Sequence, residues 1–239
     1  MHHEHAGWFS PALQRDMQLE VIGHGGARVL VFPTSMGTRF EWIDRRMHEV
    51  LRDHVDRGWL QLYFLDQVTD ESWYNETLHP GAQAWRHLQY LAYLADEVLP
   101  FSESRNGTPF VIATGASFGA FHAASLAFKY PHLVQRLIGL SGMYDIRRFT
   151  GGFSDSTVYA CNPMEFMAHE TDPARLEAFR RQDIILAIGT EDPMFENNRS
   201  FSRLLWEKGI GNALREWHGF AHDWPWWEKM IRLYVGGHD

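Results

Sequence analysis

Short runs of β-branched and aromatic residues alternate along the chain with longer segments in which apolar residues recur at helical spacing. The apolar runs at 17–22, 28–32, 59–65, 109–114, 134–140, 183–188 and 213–217 predict strands. Segments 42–55, 80–98, 118–130, 197–208 and 224–234 predict helices. Strands that alternate with helices are typical of an α/β fold, so we expect a mostly parallel, twisted sheet of about seven or eight strands with helices on both faces.

Glycine and proline residues between these segments predict several boundaries. The Gly23 to Gly26 stretch is expected to form a hairpin turn between the first two strands, and Pro100 is expected to help end the long helix. Residues 1–10 lack the apolar region of a signal peptide and are expected to be a flexible, solvated terminus. Residues 141–182 interrupt the alternation. We therefore expect a single domain over residues 1–239, with an excursion or small cap at about 142–182.

Composition excludes several classes of protein. The chain has 239 residues and a formal net charge of -8, which argues against a nucleic-acid partner because phosphate binding needs concentrated Lys and Arg. A single cysteine fits a reducing compartment, so a cytoplasmic location is expected. No run of about 18 apolar residues indicates a membrane span. The 14 histidines and 10 tryptophans leave metal binding and catalysis open, and the chain gives no information on whether it forms a homo-oligomer.

A G-x-S-x-G motif places a candidate nucleophile between a strand and a helix. Gly115, Ser117 and Gly119 follow the apolar run 110–113 and precede the helical pattern that begins at Ala120. A serine in such a tight turn projects its hydroxyl from the sheet edge, and the positions two before and two after must be small because neighbouring backbones crowd them. The sequence therefore predicts a nucleophile elbow with Ser117 at its tip. As the alternative, a glycine-rich turn of this kind can merely connect two elements or bind phosphate.

A serine hydroxyl needs a base and an orienting acid to act as a nucleophile at neutral pH. In this type of fold the acid follows the nucleophile along the chain, on a loop at the carboxyl end of a later strand. The loop after strand 183–188 carries Glu191 and Asp192, and we favour Asp192 as the acid. The alternative is that Asp192 only caps the helix that follows.

The base is expected in the loop after the last strand, which carries two histidines. His218 lies at the strand end, whereas His222 lies farther out, where it could fold back over Ser117, so we favour His222. Their i, i+4 spacing also fits a helical metal site, but Gly219 and Pro225 argue against a helix there. No metal and no cofactor are therefore expected, and the other histidines are assigned surface or hydrogen-bonded roles.

Acyl transfer also requires backbone donors for the oxyanion. The N–H of Phe118, at the start of the helix after the serine, is one candidate. The loop after strand 28–32 supplies the second, at Ser35 or Met36, and the sequence does not choose between them. Alternatively, this loop only forms a turn.

Side chains near the expected edge of the sheet are candidates for substrate binding. Trp73 and Tyr74 follow the strand at 59–65, and Met143 and Tyr144 follow the strand at 134–140. All four either line the pocket or pack the loops down.

Three segments together resemble a known family. GASFG around Ser117, the GTEDPMF loop of Asp192 and the HDWPWW segment of His222 are similar to the putative esterase family, relatives of esterase D and the mycolyltransferases, within the α/β-hydrolase superfamily. The resemblance implies the α/β-hydrolase fold and serine-dependent cleavage or transfer of an acyl group, with these three residues in the matching positions. Only two strands precede the PTSMG loop, so the usual first strand is expected to be absent.

We therefore expect a carboxylic ester hydrolase that acts on a small-molecule ester through an acyl-enzyme on Ser117. An acyltransferase or thioesterase with the same three residues is the nearest alternative. A non-catalytic binding protein on the hydrolase fold is the alternative from another class. Four tryptophans lie within eleven residues around His222, and we expect them to anchor its loop.

Overall fold

The computed structural model describes residues 1–237. Eight strands form one sheet in the order β1-β2-β4-β3-β5-β6-β7-β8. The strands are β1 His3–Ser10, β2 Arg15–Ile22, β3 Ala27–Phe32, β4 Leu60–Leu65, β5 Val111–Ala116, β6 Arg136–Leu140, β7 Asp183–Gly189 and β8 Ala213–Trp217. The pairs β1·β2 and β2·β4 are antiparallel and the other pairs are parallel, which confirms the predicted mostly parallel sheet.

Helices connect the parallel strands. They are α1 Glu41–Asp44, α2 Met47–Val50, α3 Arg52–Asp56, α4 Pro80–Tyr93, α5 Leu99–Arg105, α6 Phe118–Lys129, α7 Arg147–Thr150, α8 Ser156–Cys161, α9 Pro163–His169, α10 Pro173–Arg180, α11 Phe195–Glu207 and α12 Trp224–Tyr234. A 3-10 turn, Thr69–Glu71, follows β4, and a π-helical turn, Leu94–Val98, joins α4 to α5. No helix in this part of the chain has the length and apolar character needed to cross a membrane.

Both faces of the sheet are covered, and the central strands are buried at all or all but one of their positions. On one face Leu30 and Phe32 of β3 join a core with side chains of α4, α6 and α11. On the other face Val29 and Val31 pack with side chains of α3 and α12. Alternate residues of the same strand therefore anchor helices on opposite sides, as a doubly covered sheet requires.

The prediction of a flexible N-terminus, and of a missing first strand, is wrong. Residues His3–Ser10 form β1, which pairs along its full length with β2. Trp8 packs against Tyr93 and Phe101, and its indole N–H donates to Glu97 at 2.7 Å. This strand is hard to predict from sequence because only two apolar side chains, Ala6 and Trp8, lie on its inner face.

The predicted hairpin is also wrong, although its turn chemistry is present. Gly23 and Gly26 adopt φ of 113° and 84°, but β2 and β3, the strands on either side of them, are not neighbours. Both edges of β3 are taken by parallel partners, β4 and β5, so β2 pairs with the outer edge of β4.

Two predicted helices have different limits. Segment 42–55 contains three short helices, because Arg46 adopts a left-handed φ of 59° and Leu51 leaves the helical region. Pro100 does not end the long helix, which continues through α5 to Arg105. A π-helical turn lies directly before α5, so Pro100 falls in the first turn of α5. At that position a proline is tolerated because its missing N–H is not needed for the regular helix hydrogen bonds.

Residues 141–182 hold four short helices, α7 to α10. Met143, Ile146 and Val158 of this segment pack with Trp73 and Phe118, which lie in the loop after β4 and at the start of α6. The segment therefore covers the carboxyl edge of the sheet beside the loops described next.

Candidate active site

Ser117 lies between β5 and α6 in a strained turn. Its φ of 55° and ψ of -120° are unusual for a residue with a side chain. Its N–H donates to the carbonyl of Leu140 on the neighbouring strand at 2.8 Å, which holds the turn against the sheet. The backbone therefore has the sharp strand-to-helix geometry that the motif predicts.

The two flanking glycines are required by close backbone approaches. A Cβ on Gly115 would lie 2.4 Å from the carbonyl carbon of Gly119, and a Cβ on Gly119 would lie 2.5 Å from the carbonyl oxygens of Phe32 and Pro33. Only a glycine fits at either position without moving backbone. The sequence-based expectation of small residues here is confirmed.

The structure brings Ser117, His222 and Asp192 into one hydrogen-bonded chain. His222 Nε2 lies 3.1 Å from Ser117 Oγ, and His222 Nδ1 lies 2.7 Å from Asp192 Oδ2. The competing side chains Glu191 and His218 are exposed to solvent. Of the candidates on the two loops, His222 therefore contacts the serine and Asp192 contacts His222.

Both oxygens of the Asp192 carboxylate are engaged. Oδ1 accepts the N–H of Met194 at 2.8 Å, while Oδ2 faces His222, and the side chain is fully buried. Asp192 thus also forms the local turn ahead of α11, the structural role considered as its alternative. The N–H of Met194 fixes the rotation of the carboxylate toward the imidazole.

The loop that carries His222 is held by one tryptophan in particular. The Trp227 ring lies 5.4 Å from the His222 ring in an edge-on arrangement, and its Nε1 donates to Ser141 Oγ at 3.0 Å. Ser141 Oγ in turn donates to the carbonyl of Ala221 at 3.1 Å. Trp224 packs on Trp227 at 5.0 Å. The predicted tryptophan anchor is present, with Trp227 in direct contact with the histidine.

The loop after β3 is a turn clamped from two sides. The carboxylate of Glu41 accepts the N–H of Thr34 at 2.7 Å and its hydroxyl at 2.6 Å. Gln67 Nε2 donates to the carbonyls of Thr34 at 2.7 Å and Gly37 at 2.8 Å. The turn between these carbonyls carries Ser35 and Met36.

Three backbone N–H groups near the serine are free. Within residues 1–237, the N–H groups of Ser35, Met36 and Phe118 have no hydrogen-bond acceptor. Ser35 lines the same cleft as Ser117 and Phe118, whereas the Met36 side chain is 56 % exposed and lies outside that lining. Of the two residues considered for the second donor, Ser35 is the one that lines the cleft over Ser117.

A cleft of about 290 Å³ opens over Ser117. Its walls include Tyr74, Met143, Met194 and Phe220, so most of its surface is apolar or aromatic. Tyr74 Oη lies 2.6 Å from Ser35 Oγ. The structure thus places two of the four predicted pocket side chains, Tyr74 and Met143, in the cleft wall.

The other two predicted pocket residues do not line this cleft. Tyr144 is fully buried and stacks on Phe201 at 4.7 Å, because its side chain turns into the core beneath the loop. Trp73 is 1 % exposed and packs against His87 and Phe121. Both side chains pack the loops down, which is the alternative given above, and Trp73 also borders a neighbouring cavity that shares Tyr74. Adjacent loop residues point in different directions, which sequence position does not reveal.

Sequence reasoning missed four residues near the site. Phe220 and Met194 lie on the loops already assigned to the base and the acid, so their position was a usable signal. Arg148 lies in the excursion, and Gln67 follows β4. Neither has a motif that marks it.

Two buried imidazoles lie behind the elbow. His122 is on α6, and its ring lies 5.3 Å from that of His87 on α4. Burial lowers the pKa of His122 to about 3. Burial, followed by the charges of His122 and Lys129, lowers the pKa of His87 well below its usual range, and neither ring nitrogen of His87 has a partner in the described chain. The expected surface or hydrogen-bonded role is therefore wrong for His87.

Among residues 1–237, no group of three or more His, Cys, Asp or Glu side chains is arranged to hold a metal ion. Burial raises the pKa of the Cys161 thiol to about 12, so this thiol is a poor nucleophile.

A family model described as putative esterase matches residues 47–232, which is most of the chain. No curated protein matches the sequence.

Several solved structures share the fold at low sequence identity. An S-formylglutathione hydrolase from Agrobacterium tumefaciens is 14 % identical with a TM-score of 0.76, and the alignment covers 98 % of this chain and 93 % of that one. A ferulic acid esterase is 15 % identical with a TM-score of 0.74, covering 97 % and 95 % of the two chains. MPT51 of Mycobacterium tuberculosis is 15 % identical with a TM-score of 0.72, covering 99 % and 97 %. These likenesses show the α/β-hydrolase fold.

Proposed function

This chain belongs to the putative esterase family of carboxylic ester hydrolases, and we propose that it cleaves a small-molecule ester through an acyl-enzyme on Ser117. The observation that carries the proposal is the hydrogen-bonded chain from Ser117 through His222 to Asp192. The free N–H groups beside the serine and the apolar cleft above it are consistent with the same reaction.

In the first half of the reaction, Ser117 Oγ attacks the ester carbonyl carbon while its proton passes to His222 Nε2. The Nδ1–H of His222 donates to Asp192 Oδ2, so the carboxylate stabilises the imidazolium that forms. The carbonyl oxygen becomes an oxyanion, which accepts hydrogen bonds from the backbone N–H groups of Phe118 and Ser35. The intermediate then collapses, and Nε2–H gives its proton to the leaving alkoxide.

In the second half, a water molecule takes the place of the alcohol. Its proton passes to His222 Nε2 as its oxygen attacks the acyl carbon, and the second oxyanion uses the same two donors. Collapse returns the proton to Ser117 Oγ and releases the carboxylic acid. The start of α6 at Phe118 adds the positive end of the helix dipole to this charge stabilisation.

The test is turnover of p-nitrophenyl acetate by the Ser117→Ala variant. We expect Ser117→Ala to release nitrophenol no faster than the uncatalysed reaction and to keep the unfolding temperature of the wild type. The control Ser154→Ala, which removes a hydroxyl outside the cleft, should keep full activity. Intact-mass analysis after a fluorophosphonate should show one adduct in the wild type and none in Ser117→Ala. Undiminished turnover by Ser117→Ala overturns the proposal.

The alternatives give different outcomes in the same assay. An acyltransferase yields an acylated acceptor when alcohols or amines are added, and a thioesterase prefers a thioester to the matched oxygen ester. A binding protein on this fold gives neither turnover nor a fluorophosphonate adduct. Products formed with and without added acceptors therefore separate hydrolysis from transfer.

A further inference from the structure

Arg148 is the only Lys or Arg side chain in the lining of the cleft over Ser117. Within residues 1–237 its guanidinium makes no ion pair or hydrogen bond, and it lies 4.9 Å from the ring centre of its neighbour Phe149. Asp192 is the only acidic side chain in the lining, and it is already hydrogen-bonded to His222. The guanidinium of Arg148 is thus a positive charge without an ion-pair partner at the edge of a largely apolar cleft.

Arg148 also borders a second cavity, of about 540 Å³, which shares Tyr74 with the first. This cavity contains the carboxylate of Glu76, which would repel an anion there. A negative group near Arg148 is therefore better placed on the Ser117 side, where the surroundings are apolar. Arg148 itself is exposed to solvent, so its attraction for an anion is partly screened by water and salt.

We propose that Arg148 selects esters that carry an anionic group, a carboxylate or a phosphate, in addition to the ester bond. The inference rests on the proposed function of Ser117 and adds a substrate class to it. A guanidinium offers paired N–H donors that fit either oxyanion. The net charge of -8 on the chain disfavours anions in general, so the preference depends on this one side chain.

The test compares two pairs of esters, and the members of each pair differ chiefly in one carboxylate. Mono-p-nitrophenyl glutarate carries an acyl-side carboxylate and p-nitrophenyl valerate does not, whereas 4-acetoxybenzoate and phenyl acetate make the comparison on the alcohol side. We expect Arg148→Gln to lower kcat/KM for at least one of the two anionic esters by roughly 5-fold, mainly through KM, while the ratio for its neutral partner stays near one. The same comparison with esters that carry a phosphate in place of the carboxylate shows which of the two anions Arg148 prefers.

Arg147→Gln is the matched control, because Arg147 is bonded to Asp145 and lies outside the cleft lining. Added salt should weaken the anionic preference of the wild type and leave that of Arg148→Gln unchanged. An equal ratio of anionic to neutral turnover in the wild type and in Arg148→Gln overturns the inference. If neither ester requires Ser117, the proposed function itself has failed.

A separate observation concerns Gln67, whose side-chain amide joins the two sources of oxyanion donors. Both of its N–H bonds go to the turn that carries Ser35, at the carbonyls of Thr34 and Gly37. Its Oε1 lies 3.1 Å from Nε2 of His122, four residues after Phe118 on α6. Each polar atom of the amide is thereby engaged, and its orientation is determined.

His122 fixes that orientation because only its Nε2 has a partner. Its Nδ1 is buried without one, and the ring meets the Phe118 ring edge-on at 5.0 Å. Burial lowers the pKa of His122 to about 3, so the ring is neutral and carries one N–H. With that proton on Nε2, the ring donates to Gln67 Oε1 and leaves the amide N–H groups for the turn.

We infer that Gln67 is a positioning residue that sets the separation between the N–H of Ser35 and the N–H of Phe118. This inference also rests on the proposed function. It predicts that loss of Gln67 weakens stabilisation of the oxyanion and changes binding of the uncharged ester little. The reason is that the Ser35 N–H bonds the carbonyl oxygen most strongly once that oxygen is negatively charged.

The test uses Gln67→Met, which keeps the length of the side chain and removes its polar atoms. We expect kcat to fall by roughly 10- to 100-fold with KM within 3-fold. The affinity for an alkyl boronic acid, whose serine adduct places an oxygen in the oxyanion site, should fall by a similar factor. The control is Gln61→Met, a buried glutamine at the opposite end of β4.

A role confined to stability gives a different pattern. Equal losses of activity in Gln67→Met and Gln61→Met, in proportion to their losses of unfolding temperature, overturn the inference. So does an unchanged boronic acid affinity in Gln67→Met. If the wild type binds no boronic acid and its turnover does not depend on Ser117, the failure lies with the proposed function.

Discussion

Replacing Asp192 by asparagine should reverse the hydrogen-bond polarity of the site without changing its shape. Oδ1 of Asp192 accepts the N–H of Met194 at 2.8 Å. The amide of the variant must keep an oxygen at that position, because its NH₂ group would face another donor there. The NH₂ group is therefore directed at His222 Nδ1, which lies 2.7 Å from the present Oδ2.

This reversal fixes the wrong tautomer of His222. Nδ1 must then accept, so the proton moves to Nε2, which faces Ser117 Oγ at 3.1 Å and can no longer take the serine proton. Loss of the productive tautomer in Ser-His-Asp sites lowers kcat by about 10⁴-fold, which corresponds to about 5.4 kcal/mol in the activation free energy. The near-identical size of the two side chains leaves packing around the buried position unchanged.

The assay is kcat/KM for p-nitrophenyl acetate, measured beside the unfolding temperature of each variant. Glu191→Gln is the matched control, because it neutralises the neighbouring exposed carboxylate and should keep activity within about 2-fold of the wild type. Retention of more than a tenth of the activity in Asp192→Asn would refute the reasoning. An equal loss in Glu191→Gln would show that Asp192 had been wrongly chosen as the acid.

Three further variants test the framework around the site. Gly115→Ala should destabilise the fold by several kcal/mol, since its Cβ would lie 2.4 Å from backbone, whereas Gly107→Ala meets nothing within 4 Å and should not; urea unfolding separates them. The lowered pKa of His87 keeps it neutral in the fold, so stability should fall below pH 6.5 by about 1.4 kcal/mol per pH unit per such histidine. Unfolding between pH 7.5 and 5.5 should show a shallower slope in His87→Phe but not in exposed His132→Gln. Trp227→Phe should lower kcat/KM by about 2- to 10-fold, because it loses one hydrogen bond and keeps the ring contact; an unchanged value contradicts the anchoring role.

The placement of Ser117, Asp192 and His222 beside one another was predictable because it depends on local backbone requirements and on strand ends. Ser117 needs small neighbours at fixed spacing, and Gly115 and Gly119 record that need in the sequence. Asp192 and His222 follow strands β7 and β8, and parallel strands bring the loops at their carboxyl ends to one edge of the sheet. The sequence pattern therefore places the three side chains together without knowledge of the packing.

The parts that could not be predicted depend on tertiary partners. Strand β1 has few apolar residues, and its identity comes from pairing with β2 and from the contact of Trp8 with α4 and α5. Neighbours along the chain also diverge: Tyr74 lines the cleft, while Trp73 is buried behind it. The direction of a loop side chain depends on what surrounds it, and for this reason Arg148 and Gln67 carry no signal in sequence.

Backbone strain is concentrated around the serine, and this links the fold to the proposed reaction. Among residues 1–237, six non-glycine residues adopt positive φ, and four of them lie on the loops of this edge: Met36, Ser117, Ser141 and Ala221. Such conformations persist only where surrounding contacts over-determine them. Here Ser117 and Ser141 donate their N–H groups to the adjacent strands β6 and β7, and the Ser141 hydroxyl holds the carbonyl of Ala221, next to His222. The sheet thus fixes Ser117 and His222 through the same short connections, so a change at Ser141 should disturb both at once.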